Sequence, residues 1–166
     1  MNYSTIKKYD VANWLGVRTS LFVTFCPHRC PHCFNKDLWE EGSGKPFDEQ
    51  AKKELFEYLS DIHVCGLSVL GGEPLAQGQD MLNLLIEVKE KFPTKNIALW
   101  TGYYIDGREE LTNIQHQILN CCDVIVDGRF VNDLKDAKLK FRGSSNQTIY
   151  ERDKITKELK PSKLNG

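Results

Sequence analysis

Four short apolar runs recur along this chain: TSLFVTF (19–25), GLSVL (66–70), IALWT (97–101) and DVIVD (123–127). Each is rich in β-branched or aliphatic residues and too short for an ordinary globular helix, so each reads as a buried strand. Between them, apolar residues repeat at helical spacing. Ala51, Leu55, Phe56, Leu59 and Ile62 follow Asp48, a residue type suited to an N-cap. Leu82, Leu85, Ile86 and Phe92 follow a second such cap, Asp80, and stop before Pro93; Leu111, Ile114, Ile118 and Leu119 mark a third helix. Strand and helix alternating in this way predict right-handed βαβ units and a parallel sheet. Residues 1–18 show no clear period, and the Lys-rich segment from Glu151 reads as a weakly ordered tail. The expected organisation is one α/β domain over residues 1–150 and a charged tail over 151–166.

In a parallel sheet the functional loops stand outside the carboxyl ends of the strands. Here each predicted strand runs into a distinctive loop: CPHRCPHC (26–33), GGEP (71–74), TGY (101–103) and DG (127–128). These loops are about 30 residues apart in sequence, yet the topology gathers them on one rim. The first contains Cys26, Cys30 and Cys33, with Pro27 and Pro31 turning the backbone away from helix. Three thiols this close suit a metal better than a disulfide framework. A closed zinc site needs four ligands, which His28 or His32 would complete. An iron–sulfur cluster on three thiolates keeps one iron open to another molecule. Spacing alone leaves both open.

Composition narrows the partners. A net charge of −1 gives no attraction for nucleic acid or a membrane surface. No apolar run nears the roughly 20 residues of a membrane span, and the N-terminus lacks the pattern of a signal peptide. A reducing, cytoplasmic setting is therefore expected, with Cys65, Cys121 and Cys122 as small buried apolar residues.

CxxxCxxC at the end of a first strand, followed by GGEP after a second, resembles the signature of the radical S-adenosylmethionine superfamily. FxTxCxHxCPHCFN, WTGY (100–103), VDG (126–128) and RGSSNQ (142–147) extend the likeness over residues 1–147. Within the superfamily the chain is similar to the activating proteins of anaerobic (class III) ribonucleotide reductases. It departs at 13–18, where NWLGVR replaces the glycine–proline–glycine turn usual before the arginine, here Arg18. The resemblance implies a parallel-stranded, partial (open), TIM-like (βα) barrel of the radical S-adenosylmethionine type, in a single small domain. It implies a [4Fe–4S] cluster held by Cys26, Cys30 and Cys33, with S-adenosylmethionine on the fourth iron. Reductive cleavage of that molecule would then place a glycyl radical on the large, glycine-bearing subunit of the reductase. The electron would come from a low-potential donor such as flavodoxin. The alternatives are an activase for another glycyl radical enzyme, a small-molecule enzyme of the same superfamily, and a zinc-bound interaction module.

The resemblance also distributes roles, none of them a side-chain acid or base. S-adenosylmethionine would meet His32, Cys33 and Phe34 in the cysteine loop, the backbone of Gly71 and Gly72, the carboxylate of Glu73, and Thr101. His28 and Arg29 would tune the cluster by their charge. Asn35 fits either a nucleoside contact or an Asx-turn, and Trp100 fits either rim or core. Asp127 and Gly128 fit either a site or a turn, and Arg142 and Asn146 either a partner contact or a cap on the chain's end.

Overall fold

The computed structural model describes residues 1–166. Its centre is one open eight-stranded sheet of order β3-β1-β2-β4-β5-β6-β7-β8. The four expected strands are β2 (Arg18–Val23), β4 (Gly66–Gly71), β5 (Asn96–Trp100) and β6 (Val124–Asp127), and they pair in parallel. Helices α1 (Glu49–Leu59), α2 (Gln79–Lys91) and α3 (Asn113–Asn120) connect them. Because each crossover advances the sheet in the same direction, right-handed connections place all three helices on one face.

The flanks differ from the all-parallel expectation. β1 (Asn2–Asp10) pairs antiparallel with β2 and with the short β3 (Lys45–Pro46), while β7 (Thr148–Arg152) and β8 (Leu159–Pro161) extend the other edge antiparallel. The sheet is thus mixed and does not close. β1 lacks a sequence period because only Tyr3 and Asp10 along it are fully buried, the rest being partly or wholly exposed.

Strand alternation divides the core. Leu21, Val23, Leu67, Val69, Ile97, Leu99 and Ile125 face the helices, where Leu55, Leu59, Met81, Leu85, Val88 and Ile118 meet them. On the opposite face Ala98, Val124, Val126 and Ile149 pack under Trp14, with Trp100, Phe141 and Leu164 at the margin. That second layer explains why 151–166 is not the weakly ordered tail expected from its charge. Leu164 is tucked against the sheet, and Asn165 exchanges 2.8 Å hydrogen bonds with the N–H and C=O of Ile149.

Helix details follow local chemistry. Asp48 caps α1 by accepting from Ala51 N at 2.9 Å. The helix ends at Leu59, so Ile62 lies beyond it and is 88% exposed. Gly78, not Asp80, occupies the N-cap of α2; Asp80 sits in the first turn and binds the N-terminal ammonium at 2.7 Å. Ile86, expected on the apolar face of α2, is exposed, and Met81, Leu84 and Val88 are buried with Leu82 and Leu85. Thr112 and Gln115 form a capping box on α3.

At the amino-terminal ends of the parallel strands, Arg18 is fully buried. It donates to Ser68 Oγ at 2.7 Å, Asn96 Oδ1 at 2.7 Å and Leu67 O at 2.8 Å. Burial lowers its pKa. Arg18 is a structural tie between β2, β4 and β5, on the end of the sheet away from the cysteine loop. Cys121 and Cys122 are buried as expected, but Cys65, at the same far end, is exposed.

Candidate functional site

The cysteine loop leaves β2 and is closed on itself by two backbone bonds, Phe25 N to Leu38 O at 2.6 Å and Cys26 N to Trp39 O at 3.2 Å. Within it Phe25 (φ 70°), Arg29 (φ 50°) and His32 (φ 61°) adopt left-handed backbone, a conformation that costs a side-chain-bearing residue on the order of 1–3 kcal/mol. The strain accompanies a particular arrangement of amides. The N–H of Asn35 donates to the Cys33 sulfur at 3.4 Å, and that of Cys33 to Cys30 O at 3.1 Å. Hydrogen bonds of this kind to sulfur are a principal means of setting cluster potential. Burial pushes the Cys26 thiol up to about 11 and raises Cys30 as well.

No three histidine, cysteine or carboxylate side chains converge closely enough to hold a single metal ion. A mononuclear zinc site requires such convergence. A four-iron cluster does not, because each iron takes its own thiolate and the ligands stand apart around it. The three cysteines on one loop, with the Cys33 sulfur accepting a backbone N–H, fit the cluster.

Glu73 ties the rim together. Its side chain is 1% exposed, and its carboxylate accepts four hydrogen bonds. These come from Leu75 N at 2.9 Å, Thr101 Oγ1 at 2.8 Å, Gly102 N at 2.7 Å and His28 Nε2 at 2.7 Å. One acidic side chain thereby joins the loops after β2, β4 and β5. Four bonds fill the acceptor sites of a carboxylate, so Glu73 has none left for an ammonium in this arrangement. Thr101 is likewise committed, donating to Glu73 and accepting from Tyr103 N at 3.1 Å. The expected ligand contacts of both side chains are here contacts within the rim.

Two close approaches require glycine. A Cβ on Gly72 would lie 2.4 Å from Phe25 O, and one on Gly102 would lie 2.4 Å from His28 Cδ2. Gly71, at φ 109°, turns the chain out of β4 against Val23. The N–H of Gly72 donates to Val23 O at 2.7 Å and that of Glu73 to Phe25 O at 2.8 Å. The GGEP loop is therefore bonded directly to the strand end that launches the cysteines.

His28 was expected as a tuning charge or as the fourth ligand of a zinc site. Instead it is a hub, 7% exposed, with its ring edge-on to Tyr103 at 4.5 Å. Arg129 NH1 stands 3.4 Å from Nδ1. An arginine only donates, so Nδ1 accepts and Nε2 carries the proton given to Glu73. Arg129 in turn binds Glu109 Oε1 at 2.5 Å, which raises its pKa; Glu109 also accepts from Tyr104 N at 2.7 Å. Burial alone would raise Glu109, but the Tyr104 amide and Arg129 hold it below its ordinary value. Arg129 and Glu109 escaped the sequence reading; only the position of Arg129 just after VDG, on the rim, pointed to it.

The remaining expected residues divide. His32 and Phe34 are exposed, Phe34 at 76%, with its ring 5.8 Å from Phe130. Trp100 is a core-margin residue whose Nε1 donates to Phe141 O at 2.9 Å. Asp127 is buried, and its carboxylate accepts from Ile105 N and Thr148 N, which makes it a brace between loops; burial raises its pKa. Arg142 binds Gln147 O and Asn165 O and so fastens the chain's end. Asn146 donates to Tyr104 Oη and Arg129 O, and Gln147 to Gly128 O, so RGSSNQ supports the loop after β6.

A cysteine loop of this donor chemistry on the carboxyl rim of an α/β sheet defines an iron–sulfur protein with a single four-iron site. The family pattern described as a 4Fe-4S single cluster domain matches residues 12–150. Anaerobic ribonucleoside-triphosphate reductase-activating proteins of Escherichia coli (strain K12) and Salmonella typhi are 40% and 42% identical over 154 residues, covering 90% of this chain and 98% of each relative. The protein of that name from Enterobacteria phage T4 is 39% identical over 152 residues, covering 90% of this chain and 94% of its own. The chain belongs to the family of anaerobic ribonucleoside-triphosphate reductase-activating proteins. No helix is long and apolar enough to cross a membrane.

Proposed function

We propose that this protein activates an anaerobic ribonucleoside-triphosphate reductase by generating a glycyl radical on it, in a reducing cytoplasm. The observation that carries the reading is the joining of the cysteine loop to the GGEP and TGY loops through one buried carboxylate, in a chain of this family. Cys26, Cys30 and Cys33 would hold a [4Fe–4S] cluster, and the rim beside them would hold S-adenosylmethionine. Together these groups supply the one-electron chemistry, with the electron delivered by a flavodoxin-type protein. The four parallel strands and their rim loops would then be a partial (βα) barrel of the radical S-adenosylmethionine type.

The chain's own residues bind and orient. An ammonium donates only, and the N–H of Gly72 is already committed to Val23. The methionine ammonium would therefore be received by the carbonyls of Gly71 and Gly72, not by the Glu73 side chain. Glu73 and His28 keep the cysteine loop in register with that glycine pair. His32, Cys33 and the backbone of Phe34 supply the loop surface nearest the nucleoside. No side chain has to take up a proton in this scheme, which agrees with a rim whose acids are all engaged as hydrogen-bond acceptors.

Reconstitution of the protein with iron and sulfide under anaerobic conditions tests the reading. With reductant, S-adenosylmethionine and the reductase, it should yield 5′-deoxyadenosine and a glycyl doublet in the EPR spectrum of the reductase. Cys30→Ala should lose both the iron and the doublet. A wild-type protein that binds zinc without iron, or that cleaves S-adenosylmethionine and leaves no radical on the reductase, overturns it.

A further inference from the structure

Seven of the nine large apolar side chains left in water form two groups on this molecule; the other two are Ile86, on α2, and Ile155, in the turn between β7 and β8. Tyr9, Val11, Leu15 and Ile62 lie about the amino-terminal ends of the parallel strands, where Tyr9 bonds Asp61 and Cys65 bonds Leu15 O. Phe34, Val131 and Leu134 lie on the opposite, carboxyl rim, joined by half-buried Phe130. The second group is gathered on one short stretch beside the cysteine loop. The Phe34 ring stands 5.8 Å from that of Phe130, Lys135 Nζ covers Phe34 at 5.2 Å, and Leu134 N donates to Val131 O at 3.0 Å.

We propose that Phe34, Phe130, Val131 and Leu134 are the docking surface for the glycine-bearing segment of the reductase. The inference rests on the functional reading above and adds the face on which the partner sits. When the substrate is itself a protein, its reacting residue has to come within contact of the groups held by the three cysteines. The docking surface must therefore border the cysteine loop. This patch is built onto the cysteine loop: Phe34 follows Cys33 in the chain, its ring stands 5.8 Å from that of Phe130, and Pro31 and His32 line one hollow with Phe130 and Val131. The far patch is separated from that loop by the length of the strands.

The chemistry of the patch selects its occupant. Aromatic side chains bury much area at small cost in rotamer freedom, and this makes them the usual anchors of protein interfaces. Phe34, 76% exposed beside Phe130, is such an anchor. The frame beneath is fixed: Val131 N donates to Ser144 Oγ at 3.1 Å, and Asn146 and Gln147 hold the carbonyls of Arg129 and Gly128. A preformed surface of this kind suits an extended segment with apolar residues on either side of a glycine, the glycine allowing close approach to the loop.

The test uses the reconstituted, full-length protein and the purified reductase. Val131→Asp together with Leu134→Asp puts charge on the patch without touching the cysteine loop. The double variant should bind the reductase at least tenfold more weakly. Its rate of glycyl radical formation should fall by the same factor at low reductase concentration and recover at saturation, an effect on KM and not on kcat. Iron content and S-adenosylmethionine cleavage without the reductase should match wild type. Val131→Ala with Leu134→Ala should show a smaller loss in the same direction, and Ile62→Asp, on the far patch, none. Unchanged binding by the charged double variant, or an equal loss from Ile62→Asp, overturns the docking face while leaving the function standing. A wild-type protein that leaves no radical on the reductase overturns the function and the docking face together.

Discussion

At the scale of single residues, the rim is organised by groups that hold each other. Replacing Glu73 by Ala strands four donors in a buried place, the N–H groups of Leu75 and Gly102, the Thr101 hydroxyl and His28 Nε2–H. Each unsatisfied buried polar group costs roughly 1–3 kcal/mol, and breaking a buried pair about 3–5 kcal/mol. Glu73→Ala should accordingly destabilise the cofactor-free chain by at least ~3 kcal/mol, read from its urea unfolding midpoint; a loss under ~1 kcal/mol would contradict the network. Gly102→Ala acts on the same network from the other side. Its new methyl would sit 2.4 Å from the His28 ring, and overpacking of that kind costs about 1–3 kcal/mol. Because His28 stands between Cys26 and Cys30, the variant should also retain less iron per chain after reconstitution and desalting. GGEP was legible in the sequence as a motif, but the use of its carboxylate was not. His28, Thr101 and Gly102 meet Glu73 from 28 to 45 residues away, and no local spacing encodes such a meeting.

At the scale of elements, local chemistry fixed the boundaries wherever it was strong. Asp48 announced the start of α1, and Asp48→Ala should lower stability by about 1 kcal/mol in thermal unfolding. The four parallel strands were legible because both faces of each are covered, which makes them continuous apolar runs. β1, β7 and β8 were not, since strands at or near a sheet edge carry exposed polar side chains and read like loops. β1 is anchored by its last residue. Asp10 is fully buried and accepts from Ser20 Oγ at 2.6 Å, Asn13 Nδ2 at 2.6 Å and Ala12 N at 2.9 Å. Burial works against its charge, yet these bonds and Lys7 hold its pKa below the ordinary 3.8. A carboxylate with a depressed native pKa contributes stability that is complete above its unfolded value and is lost as pH falls through the native one. Urea midpoints should therefore be flat from neutrality to about pH 5 and fall below about pH 4. Asp10→Asn should start lower and lose less over the same acid range; an identical acid slope in the two proteins would remove Asp10 from the account.

At the scale of the whole molecule, the turn between β1 and β2 and the C-terminal segment meet on the second face of the sheet, and the C-terminal segment is tied from there to the rim. Trp14, held at φ 87° in the turn where the sequence departs from its resemblance, packs on Phe141 at 5.0 Å in the same layer as Leu164. Arg142 then connects that layer to Asn165 O and to Gln147 O, and Gln147 holds the carbonyl of Gly128 behind Arg129. A charged, Lys-rich composition concealed all of this, because a few residues, Leu159, Ser162, Leu164 and Asn165, carry the side-chain attachment. Deleting residues 159–166 removes β8, the Leu164 side chain and both Asn165 bonds to Ile149. A half-buried leucine contributes about 1–2 kcal/mol and each hydrogen bond about 1 kcal/mol, so the truncation should cost roughly 3 kcal/mol. For a chain of this length, that corresponds to a fall in Tm of about 6–12 °C. The loss should not be confined to stability. With Asn165 gone, Arg142 keeps only Gln147, and the support behind Gly128 and Arg129 loosens. Hydrogen exchange of the Arg129–Val131 amides should rise more than that of α1, which packs on β1 and β2 toward the other edge of the sheet. A truncated protein that melts with wild type, or exchanges uniformly faster, would show that the C-terminal segment carries no connection to the rim.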